Sequence, residues 1–303
     1  LSDNGLANNE PILIDRLNRI GIGYFRPLIM SLFCTEEIDT TEREKVLIAI
    51  ERFIFLAFRI SRIQSNYKSS VYYGCARDLY KGEISTQDII AWLNNDLKWT
   101  YEESGQFKTS YFKDFIYKQY KSNGTGYYGW NGLRYLLYEY EEALKIKRGT
   151  PKMTWKNFIK NEKDKVSIEH IYPQTANKEC WESEFDKFDG EQKKRLNGSL
   201  GNLLPLSLSI NSSLQNDCFD SKKNVKTSEA NKVIRNGYSN GSYSEQEIAR
   251  VEKWTPDSIL KRGLGLLEFL ESRWNVELGD EKNKEDLLHL GFMREEPITE
   301  TEA

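Results

Sequence analysis

A mainly α protein carrying one small α+β element is what the 303-residue sequence predicts, on three observations. Apolar residues recur at helical spacing through residues 11–148. The period changes once, at "KVSIEHIY", a short β-branched run that Pro173 cuts off. Amphipathic helical spacing then returns beyond residue 240.

Charged residues make up 29% of the chain and aromatics 13%, which suits a packed, aromatic-rich globule and not a disordered chain. A formal net charge of -3 gives no global basic footprint, so an anionic partner must be met by a local patch. No apolar run approaches membrane-spanning length. Cys34, Cys75, Cys180 and Cys218 are scattered and form no CxxC pair. Few, unpaired cysteines suit a reducing cytoplasm, so Cys180 and Cys218 are expected to be core or surface thiols. The chain begins at Leu1 rather than Met, and an N-terminal piece is expected to precede it.

The first helices come in order. "PILIDRLNRIGIGYFRPLIMSLF" is helical in period and broken by Gly21, Gly23 and Pro27. "TEREKVLIAIERFIFLAFRISRIQ" opens on Thr41 as a cap, with Glu42 and Glu44 in its first turn. "STQDIIAWLNNDL" offers Ser85 with Asp88 three residues later, a capping pair. "YFKDFIYKQYKS" and "WNGLRYLLYEYEEALKIK" follow, separated by the loop "NGTGYYG". The Tyr, Phe and Trp stripes of these segments read as core. Residues 1–148 are therefore expected to form a helical domain.

A composition shift follows. "KIKRGTPKMTWKNFIKNEKDK" holds eight Lys and Arg against Glu162 and Asp164. Such a run is either a solvated connection or a phosphate-facing rim. Next come "KVSIEHIY" as a strand, a polar, partly helical stretch over 175–197, and "GNLLPLS" as a second strand that Pro205 places at an edge. "SLSINSSLQNDCF" then starts a helix from Ser209. Strand, long connection, strand, helix is a ββα unit, expected over 149–240. In 241–303, "SYSEQEIARVEKW" and "TPDSILKRGLGLLEFLESRW" are helices expected to pack on that unit, the second capped by Thr255 with Pro256 at its first position. A last short helix near "KEDLLHLGF" precedes a charged, frayed tail.

The chain has two histidines, and His170 sits beside Glu169 on the first strand. Asn202 opens the second strand, the helix carries Asn211 and Asn216, and Lys222 and Lys223 follow it. A carboxylate, an imidazole and amides converging there suit metal-assisted phosphodiester cleavage. A neutral His takes a proton from water at pH 7. Glu and Asn oxygens are hard ligands suited to Mg²⁺, which offsets charge on the phosphate. Lysines hold phosphates as point charges. Neighbours on a flat strand point to opposite faces, so Glu169 and His170 approach one phosphate only if the strand ends or bulges there. His289, without partners in the sequence, reads as ordinary surface.

"EHIYPQ", "LGNLLPLSLSIN" and "SLQNDCFDSKK" together resemble the C-terminal nuclease domain of the GmrSD-type restriction endonuclease family, part of the HNH, or His-Me finger, superfamily. The likeness extends over most of residues 105–275. The acidic-His-Ile-x-Pro-Gln strand with two asparagines at the spacing of Asn202 and Asn211 is similar to the HNH domain of RNA-guided CRISPR nucleases. The resemblance implies an endonuclease or nickase acting on foreign, including modified, DNA in a phage-defence system. It implies His170 as general base, Glu169 and Asn211 as ligands of Mg²⁺ or Mn²⁺, and Asn202 as the catalytic-site residue that braces the loop and orients the histidine. Lys222, Lys223 and Asn216 are expected at DNA phosphates. Family members also carry a nucleotide-dependent N-terminal half with an Asp-Gly-Gln-Gln-Arg motif, absent here, so any such domain or subunit lies outside this chain. The competing expectation is a non-catalytic module whose degenerate finger binds nucleic acid or a partner. The separation of the Glu169 and Asn211 oxygens would discriminate the two.

Overall fold

A computed structural model describes residues 9–21, 23–64, 66–148, 167–206, 214, 216–229 and 232–294 of the chain. The charge run over 149–166 and the segment holding Ser209 and Asn211 lie outside the described residues. Two compact units divide between Phe112 and Lys113. The division comes well ahead of residue 148, where composition alone changes.

The first unit is helical. It contains α1 (Glu10–Ile20), α2 (Arg26–Cys34), α3 (Thr40–Phe53), α4 (Ser69–Tyr80) and α5 (Thr86–Leu97). A π-helical turn, Ile54–Ile60, prolongs α3. Its sequence is almost wholly apolar, and Ile54, Phe55, Leu56, Ala57 and Ile60 are all buried. Much of the aromatic content of this unit is core, as expected: Phe25 and Tyr72 approach to 4.7 Å, and Phe53 packs against both, whereas Tyr73, Tyr80 and Trp92 are exposed. Ser85 and Asp88 make the reciprocal capping box. Thr41 is not the cap of α3. Asp39 takes that place, its carboxylate accepting from the Glu42 amide, because an extended residue two positions earlier already offers a stronger acceptor.

The second unit holds the change of period. Its helices are α6 (Ser110–Asn123, which enters from the first unit's sequence), α7 (Leu133–Arg148), α8 (Glu179–Phe185), α9 (Gly190–Gly198), α10 (Phe219–Lys223), α11 (Tyr243–Ala249), α12 (Pro256–Trp274) and α13 (Glu281–Leu287). Strand β1 (Ile168–His170) pairs antiparallel with β2 (Leu203–Pro205), setting His170 opposite Leu203 and Glu169 opposite Leu204. A second two-stranded sheet, β3 (Lys226–Thr227) with β4 (Val233–Arg235), had no counterpart in the sequence reading. Exposed Val233 and Ile234 explain why: the strand buries too little to leave an alternating pattern. Among the described residues no sheet exceeds two strands, so the expected mainly α architecture with a small α+β element holds.

Helices from both ends of the unit pack on the β1–β2 hairpin: α7 and α11 against β2, and α12 against the short 3₁₀ turn Leu200–Asn202 that leads into it. Gly201 permits that last crossing. A Cβ there would stand 1.9 Å from the Ile259 carbonyl oxygen of α12. Arg262 of α12 then donates from one guanidinium nitrogen to the carbonyls of Gly201 and Leu203, both at 2.8 Å. Thr255 caps α12 with Pro256 in its first turn, as its sequence indicates. Cys180 and Cys218 are not free thiols. They form a disulfide joining α8 to the residue that precedes α10, because the fold brings two residues 38 apart in sequence within bonding reach. No described helix is long and apolar enough to cross a membrane.

Candidate active site

Strand β1 is short because its continuation is captured by a side chain. Ile171 still donates to the Asn202 carbonyl at 3.0 Å. At Tyr172 the main chain leaves the ladder: its N–H donates to Asn202 Oδ1 (2.7 Å) and its carbonyl accepts from Asn202 Nδ2 (2.9 Å). Pro173, which has no N–H, follows. Asn202 Nδ2 also donates to the Asn197 carbonyl (2.9 Å), and Oδ1 also accepts from the Trp254 indole (3.1 Å). Fully buried, Asn202 thus uses two donor hydrogens and two lone pairs on the loop that follows His170. Asn197 adds a second amide on the Tyr172 carbonyl at 2.7 Å. Asn202 is a brace of this loop; none of its side-chain hydrogen bonds goes to the His170 imidazole.

Glu169 and His170 have different side-chain contacts, as strand alternation requires, and the strand ends at His170, which meets the condition set for both to approach one phosphate. Glu169 Oε1 accepts from Lys222 Nζ at 2.6 Å. That ammonium also donates to the carbonyls of His170 (3.3 Å) and Ile171 (3.0 Å). Burial pushes the Glu169 carboxyl up and the Lys222 ammonium down, and each charge opposes the shift of the other. Behind them Asp217 links Lys178 (2.9 Å) to Arg235 (3.0 Å). Partial burial works against the Asp217 charge, but the hydrogen bonds from Lys178 and Arg235 hold its carboxyl below the usual value.

These positions correct two expectations. Lys222 is not a surface phosphate contact: its side chain is 0% exposed, and its three ammonium hydrogens face three protein oxygens. Lys223 is likewise committed, to the carbonyls of Val251 and Glu252 and to the Asp220 carboxylate. A "KK" pair in a polar run looks solvated, and only partners far along the chain reveal otherwise. Asn216 lies in a turn before α10, where its carbonyl accepts from the Trp181 indole. Asn211 falls outside the described residues, so its separation from Glu169 is not defined.

His170 is half-buried, and its ring lies 5.2 Å from that of Tyr128, tilted by 31°. Burial, reinforced by the nearby Lys222 charge, lowers its pKa to about 4. The imidazole is therefore neutral at pH 7, the form that accepts a proton. His289 is not ordinary surface. It is buried, its Nε2 lies 3.0 Å from the Lys113 carbonyl, and it packs on Tyr117 and Tyr120; burial lowers its pKa to about 4 as well. An unfolded chain protonates both rings near pH 6.5 and the native chain near pH 4. Their contribution to stability is thus complete above pH 6.5 and is lost as pH falls towards 4. NMR titration is expected to show neither imidazole shifting between about pH 8 and pH 5.5. A midpoint near 6.5 for His170 would refute the desolvated setting drawn here.

Sequence reasoning missed Tyr128, Asn197, Trp254 and Arg262. "GTGYYG" read as a loop and "WTPD" as a helix start, and no local signal ties either to His170. As a cation site, the described residues supply one carboxylate, Glu169, whose Oε2 makes no hydrogen bond while Oε1 holds Lys222. Among the described residues no three His, Cys, Asp or Glu side chains cluster. One free carboxylate oxygen fits a hard cation that keeps most of its waters, although the adjacent ammonium opposes a second positive charge.

A family model described as the C-terminal domain of GmrSD restriction endonucleases matches residues 111–269. No curated protein and no solved structure matches the chain. The matched span includes β1, β2, the Asn202 brace and α12 up to Phe269.

Proposed function

We infer that this chain, which belongs to the GmrSD restriction endonuclease family through its C-terminal domain, is an HNH-type DNA endonuclease or nickase. The observation that carries this reading is a half-buried imidazole at the end of a strand whose exit is braced by a fully committed asparagine. His170 takes the proton from the attacking water. Asn202 keeps the loop after His170 in place. Glu169, with Asn211, would hold one Mg²⁺ or Mn²⁺, which when bound offsets charge on the phosphate and the departing oxygen. His170 stays off the metal, because a coordinated ring nitrogen has no lone pair for a proton.

Backbone contacts fall to other cations than Lys222 and Lys223. Lys193 and Lys194 line a cavity of about 480 Å³ together with Tyr172, Pro173 and Gln174, the residues that follow the catalytic strand. Phage-defence work on foreign or modified DNA, alongside a nucleotide-dependent domain or subunit, completes the proposal.

The test incubates the purified full-length protein with modified and unmodified phage DNA, with and without Mg²⁺ and nucleotide. Cutting in Mg²⁺ or Mn²⁺ and its loss in EDTA is the expected result. Binding without cutting under every condition would favour the non-catalytic module instead.

A further inference from the structure

An imidazole that serves as a base must be held in one orientation, and a hydrogen bond to one ring nitrogen commonly does this. Among the hydrogen bonds of the described residues, none reaches the His170 ring; only its carbonyl is engaged, by Lys222. The expected orienting residue cannot serve, because all four hydrogen-bonding positions of the Asn202 amide are already occupied. What does touch the ring is Tyr128, at 5.2 Å between centroids.

Tyr128 is placed with more care than a loop residue needs. It lies on the 3₁₀ turn Gly126–Gly129, between two buried aromatics, Tyr127 and Trp130. The Tyr127 hydroxyl donates to the Leu287 carbonyl at 2.9 Å, and the Tyr128 amide donates to the Thr125 carbonyl at 3.0 Å. Gly126 adopts φ +51 where a Cβ would come within 2.4 Å of the Tyr120 ring and 2.7 Å of the Gly198 carbonyl. The turn is therefore locked against α6 and α9, while Tyr128 itself is 45% exposed and lies over His170.

We propose that Tyr128 is the positioning residue of His170: its ring face, not a hydrogen bond, selects the imidazole rotamer that faces the substrate. The proposal rests on the reading of His170 as the base. An aromatic pair of this kind biases a rotamer roughly two- to tenfold. Because the ring does the work, the hydroxyl is dispensable.

The test uses the full chain with Tyr128→Phe, Tyr128→Leu and Tyr128→Ala. Two readouts need no cleavage. Nuclear Overhauser contacts and ring-current shifts of the His170 ring should persist in the Phe variant and vanish in Leu and Ala. His289, packed on Tyr117 and Tyr120, is the internal reference that should not move. Diethyl pyrocarbonate should modify His170 faster in Ala than in wild type or Phe. In cleavage, Ala should lower kcat roughly tenfold with KM unchanged, and Phe should restore it. A Phe variant as impaired as Ala would overturn the proposal. So would wild-type His170 signals that Tyr128→Ala leaves unaltered, and this result would stand even if His170 proved not to be the base.

Discussion

His170→Ala is expected to lower the rate of DNA cleavage by about 10²–10⁴-fold, the usual loss on removing a general base. The ring makes no hydrogen bond among the described residues, and its removal leaves Glu169, Lys222 and the Asn202 brace intact. Binding to DNA should therefore survive, because backbone contacts dominate affinity. Single-turnover cleavage at saturating protein, with a gel-shift titration beside it, separates the two effects. A variant that cuts at the wild-type rate would return His170 to the status of a packed residue and remove the centrepiece of the proposed mechanism.

Lys222→Met is expected to show the largest effect on stability. It leaves Glu169 without its ammonium and the carbonyls of His170 and Ile171 without a donor. Breaking a buried ion pair from one side typically costs about 3–5 kcal/mol. Glu169 keeps some contact with water, its side chain being 17% exposed, which favours the lower end. Chemical denaturation of both proteins measures the difference. The double variant Glu169→Gln, Lys222→Met should recover part of the loss, since it removes the stranded charge. A loss below about 1 kcal/mol would mean that the pair is solvated and behaves like a surface bridge.

The sequence made some parts of this structure readable and hid others, for physical reasons. Backbone period is a local property, so the helices, the single β-branched run and the exit at Pro173 were legible. Caps that use residues three apart, such as Ser85 with Asp88, were legible for the same reason. Asp39 and Thr41 compete for one helix start, and spacing alone did not decide between them. The chemical set Glu169, His170 and Asn202 was legible as a pattern. The partners of that set were not: Lys222 meets Glu169 across 53 residues and Trp254 meets Asn202 across 52. Burial of a lysine, the contact of Tyr128 with His170 and the Cys180–Cys218 bond belong to the folded chain and leave no periodic trace in it.

The bond between Cys180 and Cys218 has a topological consequence. It closes residues 180–218 into a covalent ring that contains α9, strand β2 and the Asn202 brace. The residue at one side of the closure, Cys218, leads directly into the helix that carries Lys222. A single backbone cut inside the ring opens it without releasing either fragment, so the brace and the strand stay tethered to the rest of the molecule. Chain entropy puts the stabilisation from closing a ring of this size at about 4 kcal/mol. That amount is present under oxidising conditions and withheld under reducing ones, which makes the rigidity of the hairpin behind His170 a property of the redox poise around it as well as of its sequence.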